Sequence, residues 1–225
     1  MSPARITRLL VIRHGETLWN REGRIQGHID IPLSPLGRLQ AERLADALRD
    51  ETIDAVYSSD LQRAQQTAAG LALGRPLEVQ ASVALRERHF GAFEGLTWEE
   101  IHARDADSAA RWKRREPDFR VGGGESLVEL QARCIGELTR IAQQHPGGQI
   151  AVVAHGGVLD CFYRAAVGLP LAASRSWVLG NASINRLLFA DGQFSLIGWN
   201  DDRHLAGLAD LAGADDVLAA PPRRT

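Results

Sequence analysis

The chain has 225 residues, 44% of them hydrophobic and 24% charged, with a formal net charge of −2. That length suits one ordinary α/β domain with ample chain for a core, and the balanced charge argues against general affinity for nucleic acid or an anionic membrane. The run Leu9–Ile12 behind Arg5 and Arg8 is too short for a signal-peptide core, and no stretch approaches the roughly 20 apolar residues of a membrane span. A cytoplasmic protein with no membrane partner is expected.

Composition also narrows the chemistry. Cys134 and Cys161 stand too far apart for a CxxC redox or zinc motif. Each falls at an apolar position of an expected helix, where a buried, inert thiol belongs. All but one of the 26 basic residues are arginine, and the exception, Lys113, sits inside the charged run Arg111–Arg115. Lysine-dependent chemistry is therefore not expected. The two common glycine-rich nucleotide-binding signatures are absent.

Leu9–Ile12 is β-prone and short enough for a buried strand, and it runs straight into Arg13-His14-Gly15. In an open α/β sheet that strand end is where ligands bind. A guanidinium there offers a planar fork of donors to phosphate oxygens and an imidazole can be a nucleophile, so the pair suits a phosphoryl group. Gly15 would let backbone pass close to a ligand. Ser34-Pro35 reads as an N-cap and first helical position, followed by the apolar positions Leu36, Leu39, Leu44 and Leu48 of a helix ending near Arg49. Ala55–Tyr57 is a short strand, Ser58, Ser59 and Asp60 are cap candidates for a helix beginning at Leu61, and Leu77–Val79 is a third strand. Such alternation calls for a parallel sheet with helices on its faces. Arg63 falls in the first turn of its helix, where the helix dipole disfavours a cation. That mismatch points to an anionic ligand shared with the helix end.

In the loop Leu85–Gly91, Glu87 taken alone reads as a charged loop residue paired with Arg86 or Arg88; Glu16, Glu94 and Asp60 are alternative carboxylates. From Thr97 to about Ser126 the α/β rhythm lapses. A capping box at Thr97–Glu100, the basic run, Pro117 and Gly122–Gly124 read as an insertion capping the pocket between two loop hinges. Its basic residues would meet an anionic substrate tail or form a solvated face. Ser126–Glu129 is a second capping box, opening a long helix with Leu130, Cys134, Leu138 and Ile141 at apolar positions. Ile150–Ala154 then repeats the opening arrangement, a buried strand delivering His155 with Gly156 and Gly157 behind it. Leu187–Phe189, Asp191-Gly192 and Phe194–Ile197 form a hairpin signal. Beyond His204 a short helix or disorder is expected.

Four motifs together resemble the signatures of the histidine phosphatase superfamily, which includes cofactor-dependent phosphoglycerate mutases and many small phosphatases. They are Arg13–Thr17 with Trp19-Asn20, Gly23-Arg24 and Gln26-Gly27; Ser58-Ser59-Asp60 with Arg63; the Glu87 loop; and Ala154-His155-Gly156. The resemblance implies an α/β three-layer sandwich with a mostly parallel central sheet, phosphoglycerate mutase-like. It implies a single domain over 1–205, a cap insertion at about 92–125, and a tail over 206–225. It also implies a division of labour. His14 attacks phosphorus as neutral imidazole, its second nitrogen held by a backbone carbonyl. Arg13, Arg63 and His155 hold the phosphoryl oxygens, with Asn20 and the Gly156 amide as further donors. Glu87 protonates the leaving group and then deprotonates water, which requires a pKa raised by burial or a neighbouring anion. Gln26 and Gly27 complete the substrate-binding set, with Phe90 and Trp98 as a partly apolar wall. No cofactor and no metal are called for, the partner is a small-molecule phosphomonoester, and the oligomeric state is left open.

The same resemblance frames a fork. The mutases carry asparagine where Gly157 stands, and a lysine eight residues beyond the aromatic of the acid loop, where counting from Phe90 reaches Trp98. Their paired arginines lie in a longer insertion. These departures favour a phosphatase. A mutase-type phosphotransferase and a non-catalytic phospholigand-binding module are the alternatives, and the presence of all five catalytic candidates weighs against the last.

Overall fold

The computed structural model describes residues 6–208. Its first strand, β1 (Thr7–Arg13), is buried along nearly its whole length, as a continuous apolar run in a sheet covered on both faces should be. The chain continues through α1 (Leu18–Arg21), α2 (Pro35–Ala47), β2 (Ala55–Ser59), α3 (Gln62–Ala72), β3 (Val79–Ser82), α4 (Trp98–Arg104) and α5 (Ala106–Lys113). It ends with α6 (Leu127–Gln144), β4 (Gln149–Ala154), α7 (Gly156–Val167), β5 (Ile184–Ala190) and β6 (Gln193–Asp201). The strands form one sheet in the order β3-β2-β4-β1-β5-β6. The first four are parallel, β5 is antiparallel to β1, and β6 is antiparallel to β5.

Alternation along β1 splits the core into two layers. Leu9 and Val11 pack with Leu130, Cys134 and Leu138 of α6 and with Val158, Leu159 and Phe162 of α7. Leu10 and Ile12 face the other way, onto Leu44 of α2 and Ala64, Ala68 and Leu71 of α3. A fully buried leucine of this kind contributes about 2 kcal/mol. Helices on both faces of a mostly parallel sheet make the three-layer α/β sandwich. The Asp191-Gly192 turn has φ of 52° and 78°, the left-handed pair that a two-residue hairpin requires. Among the described residues no helix is long and apolar enough to cross a membrane.

Three expectations need correction. The third strand lies at Val79–Ser82, because its pairing with β2 begins at Val56 opposite Val79; Leu77 packs against the core ahead of it. No side chain from Ser58 to Asp60 caps α3. Its N-cap is Leu61, and Asp30 from a distant loop accepts the Gln62 amide at 2.7 Å. The supposed cap hinges form a tight joint: a Cβ on Gly91 would strike the Gly122 carbonyl, and one on Gly122 the Phe90 carbonyl. Arg88 fastens that joint by donating to the Glu125 and Phe119 carbonyls, each at 2.8 Å.

The insertion has a small core of its own, with Phe90, Phe93, Ile101 and Val121 gathered around Trp112 and Ile25 reaching in from the main domain. The tail reading concerns residues mostly outside those described; within them, Arg203–Leu205 makes one 3-10 turn.

Candidate active site

The site follows from strand register. β1 and β4 are parallel neighbours with Arg13 opposite Ala154, so His14 and His155, each one residue further on, leave the sheet side by side. Their ring centroids are 5.1 Å apart. β2 flanks β4 on its other side, and the helix that follows it brings in Arg63. Three adjacent strand ends thus deliver three of the predicted catalytic groups to one place.

Hydrogen bonding fixes the two histidines in opposite tautomers. His14 Nδ1 is 2.7 Å from the Gly15 carbonyl; a carbonyl only accepts, so Nδ1 carries the proton and Nε2 keeps its lone pair. His155 Nδ1 is 3.2 Å from Arg63 Nε; a guanidinium only donates, so in the neutral ring Nε2 carries the proton. That Nε2 is buried and has no hydrogen-bond partner among the described residues. Burial first, then the charges of Arg63 and Arg13, hold His14 well below the usual imidazole range, against the pull of the Gly15 carbonyl. His155 is depressed likewise, by burial and then by Arg63. The pair is a lone-pair donor beside a proton donor.

Arg63 is fully buried, and burial lowers its pKa to about 10, still far above neutrality. Its Nη1 and Nη2 also donate to the carbonyls of Ile29 (2.9 Å) and Gly27 (2.7 Å), which pins the loop forming one wall of the cleft. Arg13 donates to the Leu179 carbonyl at 2.7 Å. Asn20 Oδ1 accepts from the Thr17 amide at 3.0 Å and its backbone is capped in return by Thr17 Oγ1. This capping box of α1 leaves the amide nitrogen as the end available to a ligand.

Glu87 pairs with neither neighbouring arginine. Arg86 makes a bidentate bond to Asp60, and Arg88 is spent on carbonyls. The Glu87 carboxylate instead accepts from the Arg88 amide at 2.7 Å and from the Gly157 amide at 3.0 and 3.1 Å. Burial raises its pKa above the usual carboxyl value, opposed by those two amides and by Arg63 and Arg13. The alternative carboxylates are occupied elsewhere: Glu16 with Arg21 and Ser34, Glu94 with the His28 and Phe90 amides.

All the predicted site residues except His155 and Trp98 line one cleft of about 460 Å³, open mouth included. His155 is fully buried, its ring beside that of His14. Trp98 is a correction: as the first residue of α4 it turns into the core of the insertion, its ring 5.6 Å from that of Trp112, and of the expected aromatic pair Phe90 alone lines the cleft. Gly15 is another, since its close approach is to the Gly37 carbonyl of α2 rather than to the cleft. The basic run is also spent internally. Arg111 and Arg114 each reach Glu116 at 2.8 Å, and Arg115 reaches Asp160 at 2.7 Å. Arg24 and Ile25 line the cleft as well, and sequence reasoning gives neither a role there. Arg24 sits within the first motif, yet among so many arginines nothing but position marks it. Among the described residues no group of three or more His, Cys, Asp or Glu side chains is placed to hold a metal ion.

The model of the histidine phosphatase superfamily (branch 1) matches residues 9–202. Phosphoglycerate mutase-like protein 4 of Arabidopsis thaliana is 41% identical over 202 residues, covering 88% of this chain and 86% of that protein. The metal-independent phosphoserine phosphatase of Arabidopsis thaliana is 37% identical over 219 residues, covering 96% and 90%. A phosphoserine phosphatase mutant from Entamoeba histolytica, solved in complex with phosphoserine, aligns with a TM-score of 0.80 at 30% identity, covering 88% of this chain and 99% of that one. A match that runs from the first buried strand past both strand-end histidines means that this chain belongs to branch 1 of the histidine phosphatase superfamily.

Proposed function

We propose that the protein hydrolyses a small phosphomonoester, without a metal, through a phosphohistidine on His14. The observation that carries this reading is the pair of fixed tautomers: His14, which lines a cleft with Arg13 and Arg63, keeps the lone pair on Nε2, and His155 beside it keeps a proton on Nε2. In the first half-reaction the His14 Nε2–P bond forms as the ester P–O bond breaks, and the Glu87 proton passes to the departing alkoxide. In the second, Glu87 accepts a proton from water as its oxygen attacks phosphorus, and the N–P bond breaks to release phosphate. Charge on the phosphoryl oxygens in the loose transition state is met by Arg13, Arg63 and His155. Residues 1–205 act as one catalytic domain, with the insertion near 92–125 bearing on substrate choice.

The relatives that act on phosphoserine, and the one solved with it bound, support a compact alkyl ester as substrate. The mutase reading has a competitor's claim through the mutase-like relative. Supplying 3-phosphoglycerate with a bisphosphate primer separates them: phosphate release should outpace isomerisation, and the reverse order would overturn the proposal.

A further inference from the structure

Glu87 sits on a stretch with no scaffold of its own, since residues 86–90 belong to no helix or strand. Arg133, in the second turn of α6, supplies one. A guanidinium carries five N–H groups in a rigid plane, and here every one is engaged. Nη1 donates to the carbonyls of Ala84 and Arg86, each at 2.9 Å, and Nη2 to that of Glu87 at 3.3 Å. The other two, on Nε and Nη2, reach the two carboxylate oxygens of Glu125 at 2.9 and 2.7 Å. Glu125 in turn grips the loop beyond the acid. Its amide donates to the His89 carbonyl at 2.8 Å, and its carboxylate accepts from the His89 amide at 3.4 Å. The pair therefore holds the backbone on both sides of Glu87.

We infer that Arg133 is a positioning residue for the general acid, bracing the loop so that the Glu87 carboxyl meets the ester oxygen in the cleft. The inference rests on the reading of Glu87 as the acid. Arg133 does not line the cleft and acts through the loop alone. His28 Nε2 is a second hold on the Glu87 carbonyl, at 2.8 Å, so loss of the arginine shifts the acid rather than releasing it. His14, Arg13 and Arg63 stand on other elements, and their contacts with the phosphoryl group stay in place. What suffers is the proton delivered to the leaving group. Esters of poor leaving groups need that proton as the P–O bond breaks, whereas a nitrophenolate departs without it. Lysine could keep the ion pair with Glu125, but its ammonium has no fork to span three carbonyls.

The test compares kcat/KM for β-glycerophosphate and p-nitrophenyl phosphate across the parent, Arg133→Ala, Arg133→Lys, Glu87→Gln and the double variant Glu87→Gln/Arg133→Ala. Misplacing a catalytic group by about 1 Å costs about 10²-fold, so Arg133→Ala should lose about that much on the glycerol ester and only a few-fold on the nitrophenyl ester. Equal losses on both esters, or none on either, would overturn the inference. Glu87→Gln should show the same asymmetry; if it does not, the assignment of the acid fails and the inference falls with it. With no acid left to position, Arg133→Ala should add little to the loss of Glu87→Gln on the glycerol ester, whereas losses that multiply would mark a purely structural arginine. Arg133→Lys keeps the test decisive should Arg133→Ala fold poorly. It should retain the asymmetry, and parent rates on both esters would assign the effect to charge alone and contradict the proposal.

Discussion

His14, His155 and Glu87 share one device, a buried titratable group held by a hydrogen bond with the backbone or with an arginine. His14 has to be neutral to attack, so kcat/KM should fall as pH drops through its lowered pKa. Glu87 has to be protonated to serve as acid, so kcat/KM should fall as pH rises through its raised pKa. Glu87→Gln should remove the alkaline limb and cost about 10²–10³-fold on an alkyl ester; a pH profile with that limb intact would assign it to another group. At this scale most of the pocket is legible in the sequence, because strand-end motifs carry their residue types with them. The partners of Glu87 are not. The sequence offers it two adjacent arginines, and only the fold reveals that Asp60 takes one and the Glu125 and Phe119 carbonyls the other. Nor can spacing foretell that Gly157, 70 residues away, supplies the amide.

Among the elements, the helix starts follow their capping residues closely: Ser34, Thr97 and Ser126 each accept from the third helical amide. Where the cap is non-local the sequence is silent, as at α3, whose first amide is met by Asp30. The insertion shows the same limit. Its boundaries are visible as a break in the α/β rhythm, but its aromatic residues and arginines read equally well as substrate contacts. Trp112, only 9% exposed, instead packs against Phe90, Phe93 and Trp98, and Glu116 takes up Arg111 and Arg114. Trp112→Ala should cost about 3–5 kcal/mol in urea unfolding. Because Phe90 is shared with the cleft wall, KM should rise as well. An unchanged KM with full loss of stability would separate the insertion from substrate binding.

For the whole molecule, two buried neutral histidines make folding sensitive to acid. Both imidazoles sit below the usual value of 6.5 in the native state, so the unfolded chain binds more protons. Their contribution to stability is present above pH 6.5 and is lost as pH falls from there through the native values, each histidine costing up to about 1.4 kcal/mol for every pH unit of the fall. Glu87, with its raised pKa, works in the opposite sense: its contribution is present at low pH and fades as pH rises through that raised value. The urea midpoint should therefore drop below pH 6.5, and His155→Asn should flatten that drop; a midpoint equally steep in the variant would place the acid sensitivity elsewhere. The layered fold itself is legible from periodicity, since β1 reads as a strand buried on both faces. The separation of 141 positions between the histidines becomes adjacency only through the β2-β4-β1 order, which no local pattern specifies.

The central claim is a phosphoryl group carried on His14. Mixing the chain with p-nitrophenyl phosphate in excess chelator, quenching in alkali and mapping the phosphorylated peptide by mass tests it most directly. The label should appear on the peptide holding His14 in the parent, and His14→Ala should show neither label nor turnover. A label on any other residue, or turnover that survives His14→Ala, would contradict the account.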